Sequence, residues 1–255
     1  MTFQEYINNP TGTGNSVMSY RKMYEDLYHD KWDKIMVREN GKVDYTLYKK
    51  GNTYYCHLKV PSEVVENFYY DVVIKMEQGS KSSLKDGETR FFSNDPSFNY
   101  TFAHAFVKNK LHIPELESKM SKKAIKTPAK EKNPQDTIGY VKSLYFAFIM
   151  MSEKGLFNKG KYTAEAKSFD KKILLSNITD TDECIEQRIE QEEIQRKKRT
   201  KEKEKSSGNK SSKRNEVINP EVKRSFINKI TPRSSTSSIR KPGGINKINK
   251  KKGHK

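Results

Sequence analysis

Cysteine is scarce in this sequence, and no long apolar run occurs. The two cysteines, Cys56 and Cys184, stand in unlike settings, one in an alternating apolar segment and one at the edge of a charged stretch. No disulfide between them is expected, and the chain reads as a product of a reducing cytoplasm. The longest aromatic-apolar run is LYFAFIMM at 144–151, far short of the roughly 20 residues of a membrane-spanning helix. No membrane association is expected. No charged segment followed by an apolar stretch opens the chain, so no targeting segment is expected either. Cys-x-x-Cys pairs and histidine pairs at helical spacing are missing, and neither a metal nor a cofactor is expected.

Aromatics and acids run out toward the C-terminus. Of 27 aromatic residues only Phe226 lies beyond Phe169. A stretch with so few large apolar groups cannot bury enough surface to offset its ordering entropy. Charge divides in the same way. Residues 1–120 hold 16 basic and 16 acidic side chains, whereas residues 205–255 hold 15 basic and 2 acidic ones. The expected organisation is an N-terminal arm at 1–14, a globular domain at 15–170, a charged helix at 181–205 and a disordered basic tail at 206–255.

What is present in the first 170 residues reads as an α+β domain. NPTGTGN at 9–15 is a turn cluster, and Asn15 or Ser16 can cap a helix carrying Val17, Tyr20, Tyr24, Leu27 and Tyr28 on one face. The glycines lack the Lys-Ser/Thr pair of a phosphate-binding loop. From Lys34 the period shifts to two, and Asn40-Gly41 reads as a hairpin turn. Alternation continues through Val43–Tyr48, Tyr54–Val60 and Phe68–Met76, with SEVVEN at 62–67 as a helical turn and TRFFS as a last strand. The result is an antiparallel meander with helices against it.

FFSNDPSFNYTFAHAF at 91–106 then places five phenylalanines and a tyrosine around an Asp-Pro break. Asp95 and Pro96 suit the start of a helix. The aromatic stripe beyond them is expected in the core, with His104 satisfied or partly exposed. A lysine- and proline-rich connector over 109–136 precedes a strongly apolar helix at 138–152, capped by Thr137 and stopped at Gly155. Ile74, Phe102, Leu144 and Phe148 are expected to be buried. In the charged helix, Ile185, Ile189 and Ile194 offer a thin apolar seam.

The sequence gives little support to enzymatic chemistry. Cys56 and His57 are adjacent in a strand and point to opposite faces, and no serine sits in a nucleophile elbow. The cationic tail is the stronger signal. Lys210, Lys213, Arg214, Lys223, Arg224, Lys229, Arg233, Arg240, Lys241, Lys247, Lys250, Lys251 and Lys252 can neutralise phosphates with little sequence preference. A competing site is the second face of the sheet, where Tyr55, Lys59, Tyr69 and Lys75 could stack and pair with a single strand. Against it stands the expectation that helices cover that face.

EYINNPTGTGNSVMS, LYHDKWDKIMVRENGKVDYTLYK, YYDVVI, FFSNDPSFNYTFAHAF and GYVKSLYFAFIMMSEKGLFNK together resemble small virion structural and assembly proteins of tailed bacteriophages, gut phages included. The resemblance covers roughly residues 4–160 and leaves the basic tail outside. It implies a non-enzymatic virion component near the portal, neck or tail, made in the host cytoplasm. Such a protein would assemble as a homo-oligomer or with other virion proteins, its tail on DNA or an acidic surface. The alternative is an intracellular phage nucleic-acid-binding protein.

Overall fold

The computed structural model describes residues 1–8, 10–11, 18–42, 44–77 and 83–208. The chain divides into two compact units, Met1–Lys203 and Glu204–Lys255. Of the second, only residues 204–208, the end of a helix, are described. The tail cations from Lys210 to Lys252 therefore lie outside the described residues.

The first unit is an α+β fold on a five-stranded, mostly antiparallel sheet. Its strands are β3 (Asp44–Lys50), β4 (Thr53–Pro61), β5 (Tyr69–Glu77), β6 (Thr89–Ser93) and β7 (Lys167–Ser168), in the spatial order β6-β5-β4-β3-β7. A two-residue pair, β1 (Pro10–Thr11) with β2 (Met18–Ser19), stands apart. The meander forms where period-two alternation predicts it. Its register sets Cys56 opposite Ile74 and Leu58 opposite Val72 on one face, and Tyr55 opposite Lys75 and Lys59 opposite Asp71 on the other.

Helix α1 (Phe3–Ile7) is closed by a reciprocal cap between Thr2 and Glu5. It corrects the expected arm at 1–14, because Phe3 and Tyr6 are core residues. The Phe3 ring sits 4.5 Å from Phe148 and Phe157, and the Tyr6 hydroxyl donates to the Gly139 carbonyl at 2.7 Å.

Helix α2 (Tyr20–Arg38) corrects the strand expected from Lys34. Trp32 and Ile35 are buried at helical spacing, and the Trp32 ring packs 5.3 Å from Phe146. Asn40 and Gly41 do take positive φ (53° and 67°), but they end this helix instead of turning a hairpin. The Gly41 N–H reaches the Met36 carbonyl at 2.8 Å and the Asn40 N–H reaches Val37 at 3.2 Å, the paired bonds of a Schellman motif. Leu27, expected on the apolar face, is exposed. Val17 and its capping neighbours lie outside the described residues. The segment 62–67 is an irregular bend, not a helical turn, with Val65 buried and Val64 exposed.

Helix α3 (Pro96–Lys108) starts as the sequence predicts. Asp95 accepts the Ser97 N–H at 2.8 Å, and Phe98, Ala105 and Phe106 are buried. His104 faces Asp136 at 2.8 Å. The expected connector after it is folded. The Phe91 N–H donates to the Leu111 carbonyl, a 3₁₀ turn spans Pro114–Lys119, and α4 spans Lys122–Lys126. Leu111, Ile113, Leu116 and Met120 are buried along this path.

Helix α5 (Lys142–Glu153) begins four residues later than expected, without a side-chain cap. Thr137 is held instead by Asn133, and Gly139 lies against the Phe102 ring. Those contacts keep 137–141 out of the helix. At the far end Gly155 takes φ 65° and Leu156 donates back to Met151, a second Schellman stop. Of the expected core residues, Ile74, Leu144 and Phe148 are buried and Phe102 is half-buried.

The folded body continues past the expected boundary at residue 170. Beyond α6 (Lys159–Glu165) and β7, helix α7 (Lys171–Ser176) buries Leu174, and Ile178 is buried after it. The charged helix is α8 (Thr181–Gly208), three residues longer than expected. Its buried contact is Cys184, against Val65, Phe68 and Tyr70. Of the expected isoleucine seam Ile185 is half-buried, while Ile189 and Ile194 are half exposed and do not dock the helix. Among the described residues no helix is long and apolar enough to cross a membrane.

Candidate nucleic-acid interface

The second face of the sheet, the alternative stacking platform, is largely covered. Tyr55 is 2 % exposed. Its ring stacks on Phe169 at 4.2 Å, and its hydroxyl donates to Glu115 of the 3₁₀ turn at 3.0 Å. Lys75 reaches the same carboxylate at 3.1 Å. Burial pushes the Tyr55 hydroxyl pKa well up, and the Glu115 charge adds to it. Burial alone would raise the Glu115 pKa, but bonds from its own backbone N–H and from Lys75 hold it below the usual carboxylate range. Tyr55 and Lys75 thus act as an internal brace, and the buried Tyr55 ring presents no face to a nucleic-acid base. Tyr69 remains 40 % exposed, with its hydroxyl donating to Glu39.

Lys59 belongs to a polar hub around Asp71, itself 1 % exposed. The Asp71 Oδ1 meets His57 Nε2 at 2.7 Å and Lys59 Nζ at 2.6 Å. Its Oδ2 accepts from Asn94 Nδ2 and from the Thr179 N–H, each at 3.1 Å. The Asp71 N–H donates in turn to Asn94 Oδ1 at 2.8 Å. Burial would raise the Asp71 pKa, but the His57 and Lys59 contacts outweigh it and hold the carboxyl below its usual range. Both oxygens are saturated by these partners, which suits a structural anchor. The hub ties β4, β5 and the start of α3 to the segment that leads into α8. Lys119 pairs with Asp180 at 2.9 Å and accepts the Thr181 hydroxyl on its carbonyl, completing the hold.

Helix α8 is therefore anchored at its N-terminal end, and its charge pattern runs along the axis. Acids open it at Asp182 and Glu183, and RKKRTKEK follows from Arg196, an order that suits the helix dipole. Along one side Val64, Arg188, Gln195, Arg199 and Lys203 line a groove of about 680 Å³ between the helix and the 62–67 bend. Gln195 donates to the Glu66 carbonyl at 3.0 Å and Arg188 pairs with Glu192 at 2.8 Å. The lysine-rich sequence signalled the cations, but nothing in it paired them with Val64 and Glu66.

Two other features lie outside this interface. A concavity of about 520 Å³ between α1, α2 and α5 has Phe3, Tyr140, Tyr145, Phe148 and Phe157 in its walls. Cys56 and Cys184 are both free and buried. Burial pushes the Cys184 thiol up to about 12 and the Cys56 thiol higher still, opposite to what an activated nucleophile needs. No group of three potential metal ligands occurs among the described residues. Comparison of the chain with known protein families, with curated proteins and with solved structures found no match.

Proposed function

We propose that this protein is a non-enzymatic structural or assembly component of a tailed-phage virion, from the portal, neck or tail region. It joins copies of itself or other virion proteins and lays its cationic C-terminal stretch on DNA. The observation that carries the reading is the separation of charge. Residues 1–120 balance 16 basic against 16 acidic side chains, while 205–255 set 15 against 2. Residues 1–120 thus add no net charge that would repel copies of the chain. A dense run of cations gains affinity for a phosphate backbone by releasing counterions, without reading bases. The resemblance of residues 4–160 to virion proteins supplies the context, synthesis in the host cytoplasm followed by incorporation into the particle.

Mass spectrometry of purified particles tests this reading. The expected result is recovery of the protein at a fixed copy number relative to the major capsid protein. Exclusion from particles, with the protein found on DNA inside infected cells, would replace it by an intracellular nucleic-acid-binding role.

A further inference from the structure

The groove beside α8 is built from residues of the folded unit. We propose that Arg196, Arg199 and Lys203, with Val64 of the 62–67 bend as the opposite wall, form a docking groove for the phosphate backbone of duplex DNA. The proposal rests on the DNA-binding reading above and adds to it a defined surface outside residues 210–252.

Three observations carry it. The first is charge. Four cations, Arg188, Arg196, Arg199 and Lys203, line the groove against one carboxylate, Glu192, which is already engaged by Arg188. Arg196 and Arg199 are exposed and form no ion pair among the described residues, so their guanidinium forks can meet phosphate oxygens.

The second is rigidity. The Gln195 bond to the Glu66 carbonyl holds the helix against the bend, one residue before Arg196. Cys184 and the Asp71 hub fix the same helix from its start. Cations on an anchored helix lose less freedom on binding than cations on a free chain. From Arg196 to Lys203 the helix rises about 10 Å, enough to face about three consecutive phosphates of one strand.

The third is what the groove lacks. Among the described residues none of its lining side chains is aromatic. Single-strand sites use rings on which bases stack. A cationic groove without rings fits the regular phosphate ladder of a duplex better.

The test is a salt titration of binding to a 30-base-pair duplex by the full chain, compared with Arg196→Gln/Arg199→Gln. Both side chains are exposed, so the melting temperature of the variant should match the parent's. The slope of log K against log salt should become shallower by about 1.8, from about 0.9 per neutralised phosphate. Arg196→Lys/Arg199→Lys should restore most of that slope. An unchanged slope with duplex binding retained would overturn the groove while leaving the tail's role standing. Loss of slope on an oligothymidine single strand but not on the duplex would also overturn it. Failure of the parent chain to bind duplex at all would overturn the DNA-binding reading itself and the groove with it.

Discussion

The Thr179 N–H donates to the Asp71 carboxylate across 108 positions of sequence, at 3.1 Å. A central strand of the sheet is thereby bonded to the segment just before α8. The base of the charged helix is fixed by the same carboxylate that holds His57 and Lys59. The position of the helix and the integrity of the sheet are therefore one energetic problem.

Asp71→Asn should destabilise the folded unit by about 1.5–3 kcal/mol, the range for hydrogen bonds to a charged group. The effect should depend on pH. The Asp71 carboxyl titrates lower in the folded chain than in the unfolded one. Its contribution is therefore complete above the ordinary aspartate value of about 3.9 and is lost as pH falls through the lower folded value. Chemical denaturation at pH 7 and pH 3 should show the gap between parent and variant narrowing in acid. An equal gap at both pH values would detach the hub from stability.

Gly139→Ala should cost about 1–3 kcal/mol, as overpacking does. A Cβ built there falls 1.8–2.2 Å from atoms of the Phe102 ring. Phe102→Ala should remove the conflict, so the double variant should be less destabilised than the sum of the two single changes. Strict additivity in thermal melts would show that the ring moves aside freely.

Tyr55→Ala should cost about 3–5 kcal/mol of stability, the usual loss for a large buried aromatic. Its stack on Phe169 and its bond to Glu115 both disappear. Binding to single strands by the molecules that remain folded should not change. Weaker single-strand binding at unchanged stability would revive the sheet face as a nucleic-acid site.

How much of this was legible in the sequence depended on the range of each signal. The strands from Asp44 to Glu77 carry their own period-two pattern. Helix α3 carries its own Asp95-Pro96 start, so both could be read locally. KIMVR at 34–38 fits either period, and only the burial of Trp32 and Ile35 decides for the helix. Helix α1 is too short for periodicity, although Thr2 and Glu5 at capping-box spacing were a readable signal. The hub around Asp71 draws on His57, Lys59, Asn94 and Thr179, which no local pattern connects. For the α8 groove the cationic half was visible, while Val64 on its opposite wall and the Gln195 bond to the Glu66 carbonyl were not.

The most direct test of the central claim is the salt dependence of duplex binding after the tail is neutralised. The comparison is the full chain against a variant with Lys→Gln and Arg→Gln at the thirteen positions from Lys210 to Lys252 named above. If about six tail cations meet phosphates at once, the tail contributes about −5 to the slope. The account predicts that the variant loses that share, keeps its folded unit and binds all duplex sequences equally weakly. Equal affinity and equal slope for the two chains would contradict it.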